Sequence, residues 1–486
     1  MQMFRKVFSG KSIVFKASLV YVIVGFLNKA IGIITIPVFT RILSTSEMGV
    51  STTYISWQTM LYPITSLSLV SGSLFIAMNE YKDKRNQYES SILSLSTLAT
   101  LVFFIIYVCF HNFLNNLFTL PAEVMIFMFV CMLFQPALDM WMIRQRYEYN
   151  IRKMSYVTLA SNISSALAAV MAVILLRNKG VNLGVIRIIF TYGTIAIFSL
   201  YFYLLIYREG KTFFNKTYWS YAIKLSVPLM VHTLAKNILD VSDRTMISSL
   251  CGKSEAGIYG TIYSVASLAL IVWTAINNAF VPYLFDKLDK NSNKDAADIN
   301  RITVALLLIF AAASIGLTAI APEIVHILMT NEYYDAVYLI PAITGGIYLT
   351  CVYNLFSNVI LYYKKTSYIM YGTLVAAVSN VLMNYIFIKI FGYQAAAYTT
   401  LVACVILSFM QYFGVKKVRK DKLYNYKKMF FISTIIILIC LSFDFLYKNT
   451  LLRYIVIAVL IMLLFIFRKR IISLLGEIKD AKNINA

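Results

Sequence analysis

Apolar positions run along this chain in blocks of about 20 residues, the length an α-helix needs to cross a hydrocarbon core ~30 Å thick. Roughly fourteen such blocks fall between residues 13 and 467. The polar segments between them are short, none longer than about 20 residues, so neither face has room for a soluble catalytic domain. The pattern predicts an all-α polytopic membrane protein with about 14 transmembrane helices, its first apolar block being a span rather than a cleaved signal.

One block departs from the apolar pattern. From Tyr221 to Tyr263 the sequence carries His232, Lys236, Asp240, Asp243 and Arg244 inside what otherwise reads as a span. A charge at mid-span opposes insertion by ~2.5–3.5 kcal/mol unless it pairs or meets water. At about 100° per residue the five ionisable groups share an arc of roughly 120°, while Val227, Met230, Leu234, Ile238, Val241 and Thr245 gather opposite. Lys236 and Asp240, like Asp240 and Arg244, stand at the i,i+4 spacing that permits pairing. The expectation is a helix with one face on a polar cavity within a membrane bundle.

Other spans carry fainter versions of the same signal. Lys29 lies near the middle of the first span between Gly25 and Gly32, too deep to reach the interface easily, and Arg41 closes that span. The functional reading of Lys29, Lys236 and Arg244 is a cationic cavity for an anionic substrate; the bland one is structural pairing, or interface anchoring for Arg41 and Arg244. Asp240 and Asp243 are either ion-coupling carboxylates or neutralising partners of Lys236 and Arg244, with His232 on the same stripe. Gln135 and Asp139, Asn277 and Asn278, Asn354 and Asn358, and Asn380 and Asn384 repeat polar chemistry in further spans, as helix-to-helix bonds or as a hydrated path. Tyr54, Trp57, Tyr62, Tyr259, Tyr263 and Trp273 offer rings for stacking on sugars, or simply pack. Arg187 and Asp444 lie near span ends, where snorkelling explains them.

Composition changes the picture in one respect. Lys and Arg number 44 against 22 acidic residues, a balance of +22 that in a soluble protein would suggest nucleic acid. Here the basic residues crowd into alternate inter-span segments, such as Lys82, Lys84 and Arg85 or Arg144, Arg146, Arg152 and Lys153, which predicts cytoplasmic termini and no nucleic-acid partner. The six cysteines form no CxxC pair, and Walker A, HExxH, GxSxG and dinucleotide-binding motifs are all missing from the sequence, so no cofactor, metal or nucleotide is expected.

An internal repeat is legible. RILSTSEMGVSTTY from Arg41 returns roughly 205 residues later as RTMISSLCGKSEAGIYGTIY from Arg244, and a Ser-Tyr pair preceding a Gly recurs as Ser155, Tyr156, Gly180 and Ser367, Tyr368, Gly392. Two six-span lobes follow, 1–215 and 216–420, with parallel orientation because six is even, and 421–486 adds two spans and a tail. Pro37 and Pro228 predict kinks in spans 1 and 7.

The run PVFTRILSTSEMG from Pro37 to Gly49, Asp243-Arg244 followed by Ala256, Gly257 and Tyr259, and NAFVP from Asn278 to Pro282 resemble polysaccharide flippases of the Wzx-like branch. These belong to the multidrug/oligosaccharidyl-lipid/polysaccharide exporter superfamily, whose members have two six-span lobes around a cavity of alternating access. The resemblance implies a non-enzymatic protein of the bacterial cell membrane that flips undecaprenyl-pyrophosphate-linked oligosaccharide from the inner to the outer leaflet for capsule or O-antigen. The implied partners are membrane lipids, H⁺ or Na⁺, and a polysaccharide polymerase with its assembly proteins. Lys29, Lys236, Arg244, Arg41, Asn354 and Asn358 would bind substrate, and Asp240, Asp243 and His232 would couple the ion. The alternatives are a teichoic acid or peptidoglycan precursor flippase, although the arginine-rich first span of the latter is missing, a multidrug exporter, and a polysaccharide polymerase using Glu323 and His326.

Overall fold

A computed structural model describes residues 13–148, 150–290, 293–419, 423–462, 465–466 and 468. Among these every regular element is a helix. The order is α1 (Ile13–Ile42), α2 (Thr45–Thr65), a π turn (Val70–Leu74), α3 (Phe75–Glu80), α4 (Arg85–Cys109), α5 (His111–Phe118), α6 (Ala122–Tyr147), α7 (Ile151–Leu176), α8 (Leu183–Gly210) and α9 (Lys216–Leu250). Then come α10 (Lys253–Ala266), α11 (Ala269–Lys290), α12 (Asn293–Ala319), α13 (Ala321–Leu328), a 3₁₀ segment (Asn331–Leu339), α14 (Ile340–Tyr362), α15 (Thr366–Phe391), α16 (Ala395–Val418), α17 (Tyr426–Leu446) and α18 (Thr450–Met462).

Ten helices among the described residues are long and apolar enough to cross a membrane, or up to twelve if each of two bent pairs is one span. The expected fourteen blocks are all present as helices. The difference lies in α9, whose ionic residues keep it out of that count, and in α18, which is apolar but shorter. Large apolar side chains such as Leu175, Ile197 and Leu204 stand exposed, as lipid-facing side chains do.

The repeat is visible in the order of elements. In each half the second span is broken, α2 from the π turn and α3 by a 57° bend and α10 from α11 by 45°. In each half a short helix, α5 or α13, follows the third span. α1 continues through Pro37 and α9 through Pro228, while the two bends lie at breaks between helices. The break after α2 is instead made by Leu67 and Ser68, whose φ angles of 50° and 48° lie in the left-handed region that cannot continue a helix.

Packing divides the chain into two compact units, Met1–Gly257 and Ile258–Ala486. This division and the division by repeat are different properties, since α9 opens the second repeat yet packs along α2 and α4. In the first unit α8 lies against α7, α6 and α4, and α1 lies against α7. In the second, α14 is central, packed on by α16, α17 and α12. α18 is fastened rather than appended: the buried Arg453 on α18 forms an ion pair with Glu323 on α13, which also accepts a 2.8 Å hydrogen bond from Tyr454. Glu323 is thereby committed to holding two helices together, and the acid–base role weighed for it is corrected.

The two copies of the Ser-Glu-x-Gly motif meet one another inside the first unit. Ser44 and Glu47 form a reciprocal cap at the start of α2, and the second Glu47 oxygen accepts from Leu183 N (2.7 Å) at the start of α8. The Thr45 hydroxyl bonds that of Ser254 at 2.7 Å. A Cβ on Gly49 would strike the Lys253 carbonyl, and one on Gly257 would strike the Thr45 carbonyl. Each glycine lets its backbone approach the start of the other motif, so the contact is self-complementary.

Candidate functional site: a charged helix beside a polar cavity

α9 begins at Asn215, whose side-chain oxygen accepts from Thr217 N (3.0 Å) and Tyr218 N (3.2 Å). Thirty-five residues of unbroken helix then carry the ionic stripe through the bundle. Two side chains tie α9 to the rest of the unit. Ser248 bonds Thr119 at 2.9 Å, and Asn237 Nδ2 donates to the Thr59 carbonyl on α2 at 2.7 Å. The second bond has a specific cause: Pro63 lacks the N–H that would serve the Thr59 carbonyl within α2, and Asn237 supplies it from the neighbouring helix.

The first of the two expected i,i+4 pairs is not closed. Lys236 and Asp240 are both exposed, and no ion pair joins them among the described residues. The i,i+4 spacing holds, but both groups face open space. Asp243 is buried, at 1% exposure, one residue from the half-buried Arg244, whose backbone N–H it accepts at 2.8 Å. His232 is half-buried. Of the two carboxylates that the sequence groups together, only Asp240 is reachable.

Lys29 and Arg41 are exposed on α1. Neither lines the two cavities described next. In the second unit Asn354 is half-buried, and Asn358 is buried with its Nδ2 donating to Asn277 Oδ1 (2.9 Å), joining α14 to α11. Asn380 and Asn384 are fully buried, bonded to each other and to Thr400 and Thr399 of α16. In this unit the asparagines join helices, rather than marking the hydrated path that their repetition suggests.

Two cavities open in the first unit. The larger, about 390 Å³, is walled by α2, α6, α8 and α9 through Gln58, Tyr62, Gln135, Asp139, Tyr192 and Asn237 among others. The smaller, about 210 Å³, lies between α1, α7 and α8, with Asn28, Asn162, Ser165, Arg187 and Thr191 in its lining. There Asn162 donates to Asn28 (3.2 Å). The Arg187 guanidinium sits 4.2 Å from the centre of the Phe39 ring and contacts Met48 Sδ at 3.0 Å. Arg187 therefore does not snorkel outward as its place near a span end predicts. The sequence likewise presents Arg144 only as a topology charge. In the fold it gathers Asn86 (2.6 Å), Glu89 (2.8 Å) and Glu148 (3.0 Å), the Glu89 side chain being buried. Glu148 stands at the i,i+4 spacing, but no sequence spacing links Arg144 to Asn86 and Glu89, 58 and 55 residues away.

The helices, the charged α9 and the cavities define an all-helical polytopic membrane protein. The family described as "Polysaccharide biosynthesis protein" matches residues 14–288, and the MatE family matches residues 228–386. The chain belongs to the polysaccharide biosynthesis protein family, and the Wzx-like resemblance is borne out at that level. It is 24% identical over 255 residues to a Haemophilus influenzae protein described as "Uncharacterized membrane protein", covering 52% of this chain and 62% of that one. To the Haloferax volcanii "Probable low-salt glycan biosynthesis flippase Agl15" it is 21% identical over 202 residues, 41% of each. The chain thus spans about two to three fifths of the length of these curated relatives. Among solved structures, the inward closed conformation of the lipid II flippase MurJ aligns with a TM-score of 0.65 at 17% identity, covering 95% of this chain and 100% of that one. An inward-facing multidrug resistance MATE transporter of the MOP superfamily aligns at 0.59 and 12% identity, over 81% and 96%. At these identities the structures speak for the fold.

Proposed function

We propose that this protein is a flippase that carries undecaprenyl-pyrophosphate-linked oligosaccharide repeat units from the inner to the outer leaflet of a bacterial cell membrane, by alternating access coupled to H⁺ or Na⁺, for capsule or O-antigen. The observation that carries this reading is the exposure of Lys236 and Asp240 on α9 without a closed ion pair. Facing lipid, each would cost ~2.5–3.5 kcal/mol. Facing water, they line a polar route, and the cations attract a pyrophosphate by charge and hydrogen bonding. Lys29, Arg41 and Arg244 extend the cationic lining, and the half-buried Asn354 offers an amide to sugar hydroxyls, whereas the buried Asn358, expected beside it, is held by Asn277. Asp240 is the coupling group, aided by His232, while Asp243 holds Arg244. The repeat supports lobes 1–215 and 216–420, with 421–486 beyond them, and the alternating basic segments support cytoplasmic termini. Membrane lipids, a polymerase and assembly proteins are the partners, and the protein is not itself an enzyme.

The reading is tested by thiol accessibility. In a cysteine-free background, Lys236→Cys and Asp240→Cys should react with a membrane-impermeant methanethiosulfonate reagent, and added lipid-linked oligosaccharide should slow the reaction. Thiols inert to that reagent but reactive to a lipid-soluble maleimide would place the stripe against lipid and contradict the proposal.

A further inference from the structure

The cavity of about 390 Å³ in the first unit falls within the ~300–1,000 Å³ range of small-molecule sites, and its polar groups are ordered. Two rungs join α2 to α6 one helical turn apart. Gln58 Nε2 donates to Gln135 Oε1 (3.2 Å), and Tyr62 donates to Asp139 Oδ2 (2.5 Å). With Asn237 Nδ2 spent on the Thr59 carbonyl, each of these side chains keeps an oxygen uncommitted: Gln58 Oε1, Asp139 Oδ1 and Asn237 Oδ1. Gln135 Nε2 is the spare donor. The lining carries a single acid, Asp139, and no Lys or Arg, while Tyr62 and Tyr192 contribute ring surface.

We propose that this cavity binds one neutral, hydroxyl-rich sugar residue of the transported oligosaccharide, held by Asp139, Gln58, Gln135 and Asn237 and apart from the cations that take the pyrophosphate. The proposal rests on the flippase reading for its substrate but on the cavity alone for its chemistry. Sugar hydroxyls are donors, and three lining side chains that each keep an acceptor oxygen uncommitted suit them. Planar side chains already locked by the two rungs lose little freedom on binding. A uronic acid is disfavoured there, because its carboxylate would sit beside Asp139 where the surroundings screen poorly. An anionic residue of the same oligosaccharide would have to lie elsewhere.

The test uses the purified full chain in detergent with three soluble probes, methyl glucoside, N-acetylglucosamine and glucuronic acid, read by saturation-transfer NMR. At least one neutral probe should bind saturably, with glucuronic acid weaker by about tenfold. Asp139→Asn, which retains a partner for Tyr62, and Gln135→Leu should each weaken the neutral probe by about tenfold. No saturable binding of either neutral probe, equal binding of glucuronic acid, or binding that both variants leave unchanged would overturn the proposal. So would tetraphenylphosphonium displacing the sugar through Asp139 at a far lower concentration, which would make this a cation site. Should the variants lose sugar while the unaltered protein flips no lipid-linked oligosaccharide, the sugar site stands and the flippase reading falls. Should the protein flip the lipid-linked oligosaccharide while its cavity ignores sugars, the flippase reading stands and the sugar site falls.

Discussion

Replacing Lys236 by Glu is expected to cut translocation of a lipid-linked oligosaccharide by about 100-fold or more, because reversing a charge that meets an anionic group costs ~2–5 kcal/mol. Lys29→Glu should do the same from α1. Both residues are exposed, so neither change fills a packed position, and the amount of protein in the membrane should stay close to that of the unaltered chain. Translocation and membrane abundance, measured together, decide between roles. If abundance falls as far as transport does, these lysines serve insertion or packing, and the cationic route is wrong.

The second large effect concerns energy coupling and separates two carboxylates that the sequence presents as equals. Asp240 is exposed on α9, with Lys236 and Arg244 one turn away on either side, whereas Asp243 is buried beside Arg244. Ion binding at Asp240 shifts the balance of inward- and outward-open states only by its difference in affinity between them. One pH unit across the membrane corresponds to ~1.4 kcal/mol per coupled proton, or about tenfold in that balance. Asp240→Asn should abolish the response of liposome transport to an imposed pH or Na⁺ gradient while leaving residual downhill movement. Asp243→Asn should instead lower stability and abundance, since it removes the charge from a buried partner of Arg244. An Asp240→Asn protein that keeps the full gradient response would move the coupling elsewhere.

The helical architecture was legible because hydrophobic block length is a coarse, strongly constrained signal: each block is helical over most of its described residues, the second span of each half as a bent pair. The repeat was legible from Ser-Glu-x-Gly, but its meaning was not. Only the folded chain shows that Gly49 and Gly257 are small because each faces the backbone at the other motif. The bends escape a linear reading for a physical reason. A proline removes one hydrogen bond that a neighbour can replace, as Asn237 does at Thr59, whereas left-handed Leu67 and Ser68 carry no mark in a linear pattern. On α9 the helical period puts the charges on one arc, but it cannot tell the exposed Asp240 from the buried Asp243, since that depends on which helices pack alongside. Gln58 escaped notice altogether, and its link to Gln135 joins positions 77 residues apart.

On the flippase reading, this chain by itself moves a lipid-linked oligosaccharide between leaflets. The most direct test of that reading is the purified protein in liposomes loaded with a fluorescent undecaprenyl-pyrophosphate oligosaccharide, with leaflet exposure read by an impermeant quencher. The account predicts that label protected in the inner leaflet becomes quenchable at a rate that rises with protein and collapses in Lys236→Glu. Label that stays protected at the rate of protein-free liposomes, in vesicles where the protein is shown to be inserted, would contradict it.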